Sequence, residues 1–351
     1  MSQNKVINVG VIGTGMGRLH IDGYSNTPGV KVLAVCDINR EEMNEQADKF
    51  DIPMRFTDYR ELLAVDELDA VSVVVPNDLH KPMTLAALDR GLHVLCEKPM
   101  ATNADDAAEM ARAAKSSGKR LMINMTLRFV GRYRAIRQFA EDGKLGEVYH
   151  VNASMIRRRG LPAATERKNA VMGRGDWFIN DARSGGGAMM DIGVHVLDIA
   201  WWVMDNPRPV AVTGNTYLKL APELLREVGK KIDVDEMVTA HVAFEEGRSL
   251  QFTAAWCSHM KAGHYFNAYG TRGGVSGFPL MLHYDRADSQ KDEMVHPPSD
   301  DEVGSAQEHF VECIRDPKKK MIASGQECLQ VSRILDAVKK SARKGGREVA
   351  L

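Results

Sequence analysis

The chain has 351 residues, 44% of them hydrophobic and 26% charged, which predicts roughly two globular domains with sizeable cores. Its 46 basic and 47 acidic residues give a formal net charge of −1, so no long-range field would attract nucleic acid or an anionic membrane. No uncharged apolar run approaches the roughly 20 residues that a membrane-spanning helix needs, so we expect neither nucleic acid nor a membrane as partner.

In the first third of the chain, short apolar runs alternate with amphipathic segments. The runs VINVGVI, VKVLAVC, AVSVVV, LHVLC and KRLMI are predicted to be strands buried on both faces. The segments between them predict helices near 16–26, 40–49, 78–90 and 103–117. This alternation is typical of a parallel sheet wrapped by helices, so we expect an α/β Rossmann domain with a doubly wound sheet over residues 1–125.

After residue 125 the pattern changes to a helix followed by longer, alternating strands. The segment RFVGRYRAIRQFAEDGKLGE predicts a helix, and strands are predicted at 148–155, 210–217, 237–244, 249–256 and 264–269. Two late helices are expected near 303–315 and 323–344, after a polar surface loop over 285–303. Residues 126–351 are therefore predicted to form an α+β domain with a large, mostly antiparallel open sheet, whose last helix could pack back on the first domain.

The cysteines and the N-terminus bear on location and on metal binding. Five cysteines are an odd number, lie far apart and show no Cys-x-x-Cys spacing, which favours reduced core thiols over disulfides, a redox site or a metal site. The N-terminal sequence MSQNKVINVGVIG lacks the long apolar core and cleavage site of a secretory signal. We expect a cytoplasmic protein that binds no metal.

A glycine-rich turn joins the first strand to the first helix, which begins near Met16. Gly13, Gly15 and Gly17 would let the main chain turn sharply and approach a pyrophosphate held at the helix N-terminus. The full dinucleotide fingerprint, G-x-G-x-x-G, would need glycine at position 18, where the chain has Arg18. The turn therefore predicts a dinucleotide site, with simple chain reversal as the alternative.

Asp37 ends the second strand about 20 residues after the glycines, the distance that this motif requires. Its carboxylate could accept hydrogen bonds from the adenosine ribose and would repel a 2′-phosphate, which favours NAD over NADP. Arg40 weakens this preference for NAD, since its side chain could bind a 2′-phosphate or stack on adenine. A further alternative is that Asp37 only caps the second helix.

Ligands of open parallel sheets bind beyond the carboxyl ends of the strands. The turn after the predicted strand AVSVVV is therefore a further candidate for cofactor binding. Pro76 and Asn77 end a buried strand, and His80 starts the helix that follows. Asn77 and His80 are therefore expected to border the cofactor. Alternatively, Asn77 or Asp78 is simply the N-cap of that helix.

The following strand ends in Glu97, Lys98 and Pro99, which would deliver Lys98 to the nicotinamide end of the same crevice. A lysine that is half-desolvated there has its ammonium form disfavoured and can exchange protons near neutral pH. Pro99 would fix the turn, through a cis peptide that aims the lysine. A solvated lysine at a strand end is the alternative.

In the second domain, the segment SGGGAMMDIGVHVLD predicts a glycine turn that opens a helix. Asp191 and His195 stand four residues apart and hence on one face of that helix. The carboxylate could orient the imidazole or bind a substrate hydroxyl, and the imidazole could pass a proton near neutral pH. A purely structural pair is the alternative.

The motifs GTGMGRLH, VVPNDLH, CEKP, NMTLRF and SGGGAMMDIGVHVLD, in this order, resemble those of the glucose-fructose oxidoreductase and inositol dehydrogenase family, Gfo/Idh/MocA, over essentially the whole chain. The resemblance implies a Rossmann domain and a substrate domain whose open sheet often forms an oligomer interface, hence a homo-oligomeric dimer or tetramer. It also implies hydride transfer between NAD(P) and a hydroxyl or keto carbon of a sugar, cyclitol or related polyol. Lys98, Asp191 and His195 match the family's three catalytic positions.

With this resemblance, we expect Lys98 and His195 to manage the hydroxyl proton beside the nicotinamide ring. Arg128 could equally form a buried structural salt bridge, and Arg157 could be solvated or bind a neighbouring subunit. The expected cofactor contacts are Gly13, Gly15, Met16, Gly17, Asp37, Arg40, Pro76, Asn77, His80, Glu97 and Lys98. The expected substrate contacts are Lys98, Asn124, Arg128, Arg157, Trp177, Asp191 and His195.

Two other functions are compatible with these motifs. A glycosidase that oxidises and then re-reduces its sugar with NAD would fall outside the usual two-carboxylate mechanism. A nicotinamide-sensing binding protein whose catalytic groups have decayed would keep the first domain. The joint presence of Lys98, Asp191 and His195 speaks against that second alternative.

Overall fold

The computed structural model describes residues 5–162, 175–287 and 289–351. The chain forms two compact units. One consists of Met1–Met125 with Gly304–Leu329, and the other of Thr126–Val303 with Gln330–Leu351. Among the residues that the structure describes, no helix has the length and apolar character needed to cross a membrane.

The first unit is built on a six-stranded parallel sheet. Its strands are β1 Ile7–Ile12, β2 Val30–Cys36, β3 Met54–Phe56, β4 Ala70–Val73, β5 His93–Cys96 and β6 Leu121–Ile123. They lie in the order β3-β2-β1-β4-β5-β6, and every pair is parallel. The connecting helices are α1 Gly17–Ser25, α2 Arg40–Lys49, α3 Tyr59–Leu63, α4 His80–Asp89 and α5 Ala104–Ser117. The predicted Rossmann sheet is thereby confirmed.

The strand order reverses between β1 and β4, the place where an open sheet of this kind forms a ligand crevice. The main chains after these two strands approach each other closely, because Val74 N donates to Ile12 O at 2.8 Å. Gly13 has a φ of +90°, and a Cβ there would lie 2.0 Å from the carbonyl oxygen of Val74. Only glycine fits this position, since any side chain would clash with backbone.

Residues Gly304–Leu329 belong to the first unit, whereas the sequence-based division placed all of 126–351 in the second domain. Gln307 packs against Gly23 of α1, where an added Cβ would come within 2.9 Å of the glutamine side chain. Ile123 N, at the end of β6, donates to Ala323 O at 3.0 Å. The segment thus pairs with the open edge of the sheet, and its position depends on contacts between residues far apart in the chain.

The second unit contains a nine-stranded sheet. Its strands are β7 Val148–Ile156, β8 Pro209–Tyr217, β9 Met237–Phe244, β10 Ser249–Ala255, β11 Gly263–Gly270, β12 Gly273–Gly277, β13 Leu280–Arg286, β14 Ser289–Met294 and β15 Val349–Ala350. The order is β14-β13-β12-β11-β7-β10-β9-β8-β15, and all pairs are antiparallel except β7 with β10. The prediction of a large, mostly antiparallel sheet is confirmed.

The remaining helices are α6 Gly131–Glu141, α7 Asp181–Ser184, α8 Val194–Val203, α9 Ala221–Arg226, α10 Asp300–Val303, α11 Ala306–Arg315 and α12 Gly325–Arg343. The polar region 285–303 is not the loop that the sequence predicts, because it contains β14 and α10. Every residue of β14 is exposed and the strand forms by pairing with β13, so no alternation of apolar residues marks it.

A buried ion pair lies inside the second unit. Arg128 donates from Nε and Nη2 to the two carboxylate oxygens of Asp198 on α8, at 2.9 and 2.7 Å. Both side chains are essentially inaccessible to solvent, and the Arg128 guanidinium also lies 5.5 Å from the ring centroid of Trp202. The structure therefore contains the buried salt bridge that was the structural alternative for Arg128.

Replacing Arg128 by Met should lower the free energy of unfolding by about 3–5 kcal/mol, because the Asp198 carboxylate would remain buried without its counter-charge. The matched control is Arg226→Met, since Arg226 pairs with Glu223 on the surface. That variant should change stability by no more than about 0.5 kcal/mol. Urea denaturation of both variants measures the difference, and equal effects would contradict the structural role of the buried pair.

Candidate functional site

The glycine turn of the first unit leads directly into the N-terminus of α1. This helix begins at Gly17 with Met16 as its N-cap, a residue whose side chain cannot accept hydrogen bonds from the first amide groups. Space is open beside Gly15, where a Cβ would have Glu42 Oε1 as its nearest neighbour at 3.8 Å. An open glycine turn at a helix N-terminus fits the pyrophosphate of a dinucleotide.

Asp37 stands beside this turn, at the end of β2. Its Oδ2 accepts hydrogen bonds from Thr14 N at 2.6 Å and Thr14 Oγ1 at 2.9 Å, and its Oδ1 accepts one from Asn39 N at 2.8 Å. Asn39, rather than Asp37, is the N-cap of α2. A carboxylate has about four acceptor positions, so Asp37 keeps capacity for ribose hydroxyls while it holds the glycine turn.

The surface beside Asp37 has the mixed character that an adenosine group requires. Ile38 is 92% exposed, and Met16 and Leu19 are also exposed apolar side chains in this part of the unit. Arg40 is exposed at the start of α2. Apolar side chains left at the surface next to a hydrogen-bonding carboxylate fit a flat, partly apolar base attached to a ribose.

His80 is held by main-chain carbonyl groups in the interior of the first unit. It is completely buried, and its ring nitrogens lie 2.8 Å from two carbonyl oxygens, Nδ1 from that of Pro99 and Nε2 from that of Val75. Burial lowers the pKa of His80, although the two carbonyl contacts oppose that shift. The residue instead connects the turn after β4 to the turn after β5. Its neighbour Asn77 is also buried.

Lys98 lies in the turn after β5, where the Lys98–Pro99 peptide is cis and Lys98 is only partly exposed. The Glu97 carboxylate contacts two side chains of the first unit, those of Asn124 and His20. Its Oε1 accepts hydrogen bonds from Asn124 Nδ2 at 2.6 Å and lies 2.9 Å from His20 Nε2. Asn124 is itself buried. Glu97 and Asn124 support the turn that carries Lys98.

Asp191 lies in a π-helical turn of the second unit, Met189–Gly193, that continues into α8. Trp256 Nε1 donates to Asp191 Oδ2 at 2.8 Å, and Arg157 Nη1 lies 3.4 Å from the same oxygen. Trp256 is fully buried, whereas the Asp191 side chain is 13% exposed. The carboxylate is therefore held in one orientation by two donors, and π-helical turns of this kind are frequent at functional sites.

Glycines and a buried carboxylate fix the start of this turn. Gly187 N and Met189 N each donate to the Asp235 carboxylate at 2.8 Å. A Cβ at Gly187 would lie 1.8 Å from the carbonyl oxygen of Asp235, so the two main chains can approach only because position 187 is glycine. Burial raises the pKa of Asp235, although the amide hydrogen bonds oppose that rise. His195, partly exposed, follows in the first turn of α8.

The two remaining predicted substrate contacts, Trp177 and Arg157, also belong to the second unit. Trp177 stacks on Phe178 with 3.8 Å between ring centroids, in the short helix Asp176–Ile179. Residues 163–174, which precede this helix, lie outside the described residues. Arg157 approaches Asp191, whereas Arg158 and Arg159 are exposed. The sequence did not reveal the carboxylate partner of Arg157.

The sequence did not reveal three residues that contact the candidate site: His20, Trp256 and Asp235. Trp256 is the last residue of a predicted strand, and its position at a strand end was the only available signal. His20 stands three residues after Gly17 on α1, and its place on the same buried side of the helix as Ile21 and Tyr24 could have marked it. Asp235 carries no local signal, because its amide partners come from a distant turn.

Comparison with known proteins gives a consistent result for both units. Residues 7–125 match a model described as an oxidoreductase family with an NAD-binding Rossmann fold, and residues 133–276 match the GFO/IDH/MocA C-terminal domain. D-glucoside 3-dehydrogenase of Escherichia coli is 27% identical over 97% of both chains. Inositol 2-dehydrogenase of Salmonella paratyphi B is 30% identical over 45% of this chain and 50% of its own length.

Solved structures show the same fold. A levoglucosan dehydrogenase in complex with NADH and levoglucosan has a TM-score of 0.84 with this chain. The two share 22% of their residues, and the likeness covers 98% of this chain and 99% of the other. At this identity the comparison shows the fold, including the arrangement of strands within each unit.

Two glycine substitutions should separate folding from cofactor binding. Gly15→Ala should fold normally, because the added Cβ meets nothing closer than 3.8 Å, yet should weaken NAD binding about tenfold by filling space at the pyrophosphate. Gly13→Ala should instead lower the unfolding free energy by about 3 kcal/mol or more, through its backbone clash and positive φ. NAD titration by calorimetry and thermal melting measure these effects. Unchanged NAD affinity in Gly15→Ala would place the pyrophosphate elsewhere.

Proposed function

Because this chain belongs to the Gfo/Idh/MocA family of NAD-binding oxidoreductases, we propose that it transfers a hydride between nicotinamide and a hydroxyl-bearing carbon of a sugar or cyclitol. The observation that carries the proposal is the position of Lys98, which follows β5 at the carboxyl edge of the same parallel sheet that the glycine turn follows after β1. The names of the relatives support the substrate class, since one is a glucoside dehydrogenase and another an inositol dehydrogenase.

The bound dinucleotide would accept or supply the hydride, and the chain would supply binding and proton transfer. We assign Gly13, Gly15 and the N-terminus of α1 to its pyrophosphate, and Asp37 to its ribose. An ionised carboxylate at that position disfavours a 2′-phosphate, so NAD is the proposed cofactor and NADP the weaker one. Arg40 is exposed nearby and limits this preference.

We assign the binding and deprotonation of the substrate hydroxyl to two residues. Lys98 Nζ would hold the substrate oxygen and the His195 imidazole would take its proton, because an imidazole titrates near neutral pH. Asp191 would accept a hydrogen bond from a substrate hydroxyl, in the orientation that Trp256 and Arg157 impose. Trp177 is proposed as an apolar surface for the sugar ring.

Oxidation of a panel of sugars, inositols and sugar acids, followed by NADH absorbance with NAD and NADP in parallel, tests this activity. At least one polyol should be oxidised, faster with NAD. Lys98→Met should lower kcat about a hundredfold or more while NAD still binds, because the proton-handling amine is lost. The control is Lys115→Met, which removes an exposed lysine of α5 and should leave kcat unchanged.

The same panel separates the competing functions. Release of reducing sugar without net NADH would indicate a glycosidase that uses NAD transiently. NAD binding without turnover of any substrate would indicate a sensing protein. Full turnover by Lys98→Met would refute the role proposed for that amine.

We also propose that the chain forms a homo-oligomer, a dimer or tetramer, through the open face of the nine-stranded sheet. Strands β7 to β12 contain no Asp, Glu, Lys or Arg, although 26% of the chain is charged. Outward positions carry Tyr265, Tyr269, Asn152 and Gln251, all exposed. A broad, uncharged face with exposed aromatic rings is typical of surfaces that associate with a second copy.

Placing two carboxylates on this face should dissociate the oligomer, because both would be desolvated in the interface without partners. We expect Gln251→Glu with Tyr265→Glu to yield a smaller particle than the unmodified chain. Ser289→Glu on the exposed strand β14 is the matched control and should leave the particle size unchanged. Light scattering coupled to size exclusion measures the mass, and a monomeric unmodified chain would contradict the proposal.

The thiols support a cytoplasmic location, which we propose on this ground. All five cysteines are buried. Burial raises the pKa of Cys36 and of Cys257 to about 12, so neither forms a reactive thiolate near neutral pH. Buried, unreactive thiols suit a reducing compartment.

A further inference from the structure

Three donors of the first unit hold the Asp37 carboxylate, and they are divided unequally between its two oxygens. Oδ2 accepts from both the amide and the hydroxyl of Thr14, whereas Oδ1 accepts from the amide of Asn39. An ionised carboxylate has about four acceptor positions, two on each oxygen. Among the residues that the structure describes, Oδ2 is therefore fully used, and Oδ1 keeps one acceptor position for a ligand.

The main chain around Asp37 is fixed on both sides. Gly13 N donates to the carbonyl oxygen of Cys36 at 2.8 Å, and Asp37 N donates to the carbonyl oxygen of Phe56 at 3.2 Å. The Cα of Asp37 is thus held between β1 and β3. What remains adjustable is the rotation of the side chain, and the donors to the carboxylate decide that rotation.

Thr14 is a rigid donor. It is fully buried, whereas Asp37 is partly exposed. Its carbonyl oxygen accepts from Arg18 N at 3.1 Å, which connects it to the start of α1. A β-branched side chain has few rotamers, and the single hydroxyl proton of Thr14 points to Asp37 Oδ2. If the carboxylate turned away, both Thr14 donors would lose their acceptor inside the protein, which makes that rotation unfavourable.

The orientation of Asp37 matters because charges of both signs lie in this part of the unit. Arg40 is exposed at the start of α2 and could pair with a 2′-phosphate. A second carboxylate, that of Glu42, has its Oε1 3.8 Å from the place of a Cβ on Gly15. A 2′-phosphate would therefore gain from Arg40 only where the negative charge of Asp37 can move aside.

We propose that Thr14 is a positioning residue that decides the cofactor preference. Its amide and hydroxyl fix the Asp37 carboxylate so that Oδ1 accepts from one ribose hydroxyl and a 2′-phosphate meets a negative charge that cannot turn away. The proposal rests on the dinucleotide site assigned above. It adds that an acidic residue at position 37 is not sufficient, because a carboxylate free to rotate would leave the phosphate to Arg40.

Replacing the threonine hydroxyl tests this role by binding alone. Thr14→Val keeps the branched shape but puts a methyl group where the hydroxyl lies 2.9 Å from Asp37 Oδ2, so the carboxylate loses a donor and is pushed aside. The ratio of the NADP Kd to the NAD Kd should fall about tenfold, since a hydrogen bond to a charged group is lost. Titration calorimetry of the full chain with each dinucleotide measures this ratio.

Two variants serve as controls. Thr14→Ser retains the hydroxyl and should keep the ratio within about twofold of the unmodified chain. Thr27→Val also removes a buried threonine hydroxyl of the first unit, one that donates to the carbonyl oxygen of Gly23 at 2.8 Å. It should leave the ratio unchanged. General damage to the fold would weaken the binding of both dinucleotides equally and would not change their ratio.

A double substitution shows whether Thr14 acts through Asp37. Asp37→Ala should itself lower the ratio, and adding Thr14→Val to it should have no further effect, because the carboxylate that Thr14 positions is gone. An unchanged ratio in Thr14→Val overturns the proposal, and so does an equal fall in the presence and absence of Asp37. If Thr14→Val does not fold, Thr14→Ala decides in its place, with a fall in the ratio expected.

The outcomes for the proposed function and for Thr14 can be told apart. Failure of the unmodified chain to bind either dinucleotide would refute both. Preferred binding of NAD with an unchanged ratio in Thr14→Val would overturn the role of Thr14 alone and leave the proposed oxidoreductase intact. A shifted ratio in a chain that oxidises no polyol would support the positioning of Asp37 and refute the proposed reaction.

Discussion

The close approach of two main chains at the carboxyl edge of the parallel sheet is the constraint on which the rest of the first unit depends. β1 and β4 are neighbours, and the chain leaves both toward the same edge, with room only for glycine at position 13. The turns after β2 and β5 reach that edge because all six strands are parallel. Asp37 and Lys98, which are far apart in sequence, are thereby presented along one border of one sheet.

Polar contacts then stabilise this border from inside the unit. Asp37 binds the amide and hydroxyl of Thr14, which connects the end of β2 to the glycine turn. His80 connects the turns after β4 and β5 through two carbonyl groups. Groups that resemble ligand contacts in the sequence are therefore partly structural, and the residues left exposed at the edge are the ones available to a dinucleotide.

The second unit uses the same principle with different elements. A buried carboxylate, Asp235, holds the start of the π-helical turn, and the indole of Trp256 holds Asp191. The Asp191 side chain is thus oriented by an indole that is itself buried, which is how a side chain gains rigidity from its supporting residues. Arg128 has a similar supporting role, since it forms a buried ion pair with Asp198 of α8.

The sequence alone determined the alternation of strands and helices, the glycine turn and the positions of Lys98 and Asp191, because these depend on local periodicity and on short motifs. It did not determine β3, only three residues long, or β14, which is fully exposed, because neither has enough alternating apolar residues to give a signal. Only the tertiary structure decided that His80, Asn124 and Arg128 are buried and that Trp256 binds Asp191. Burial and partners of polar side chains arise from contacts between distant segments, which no local pattern in the chain records.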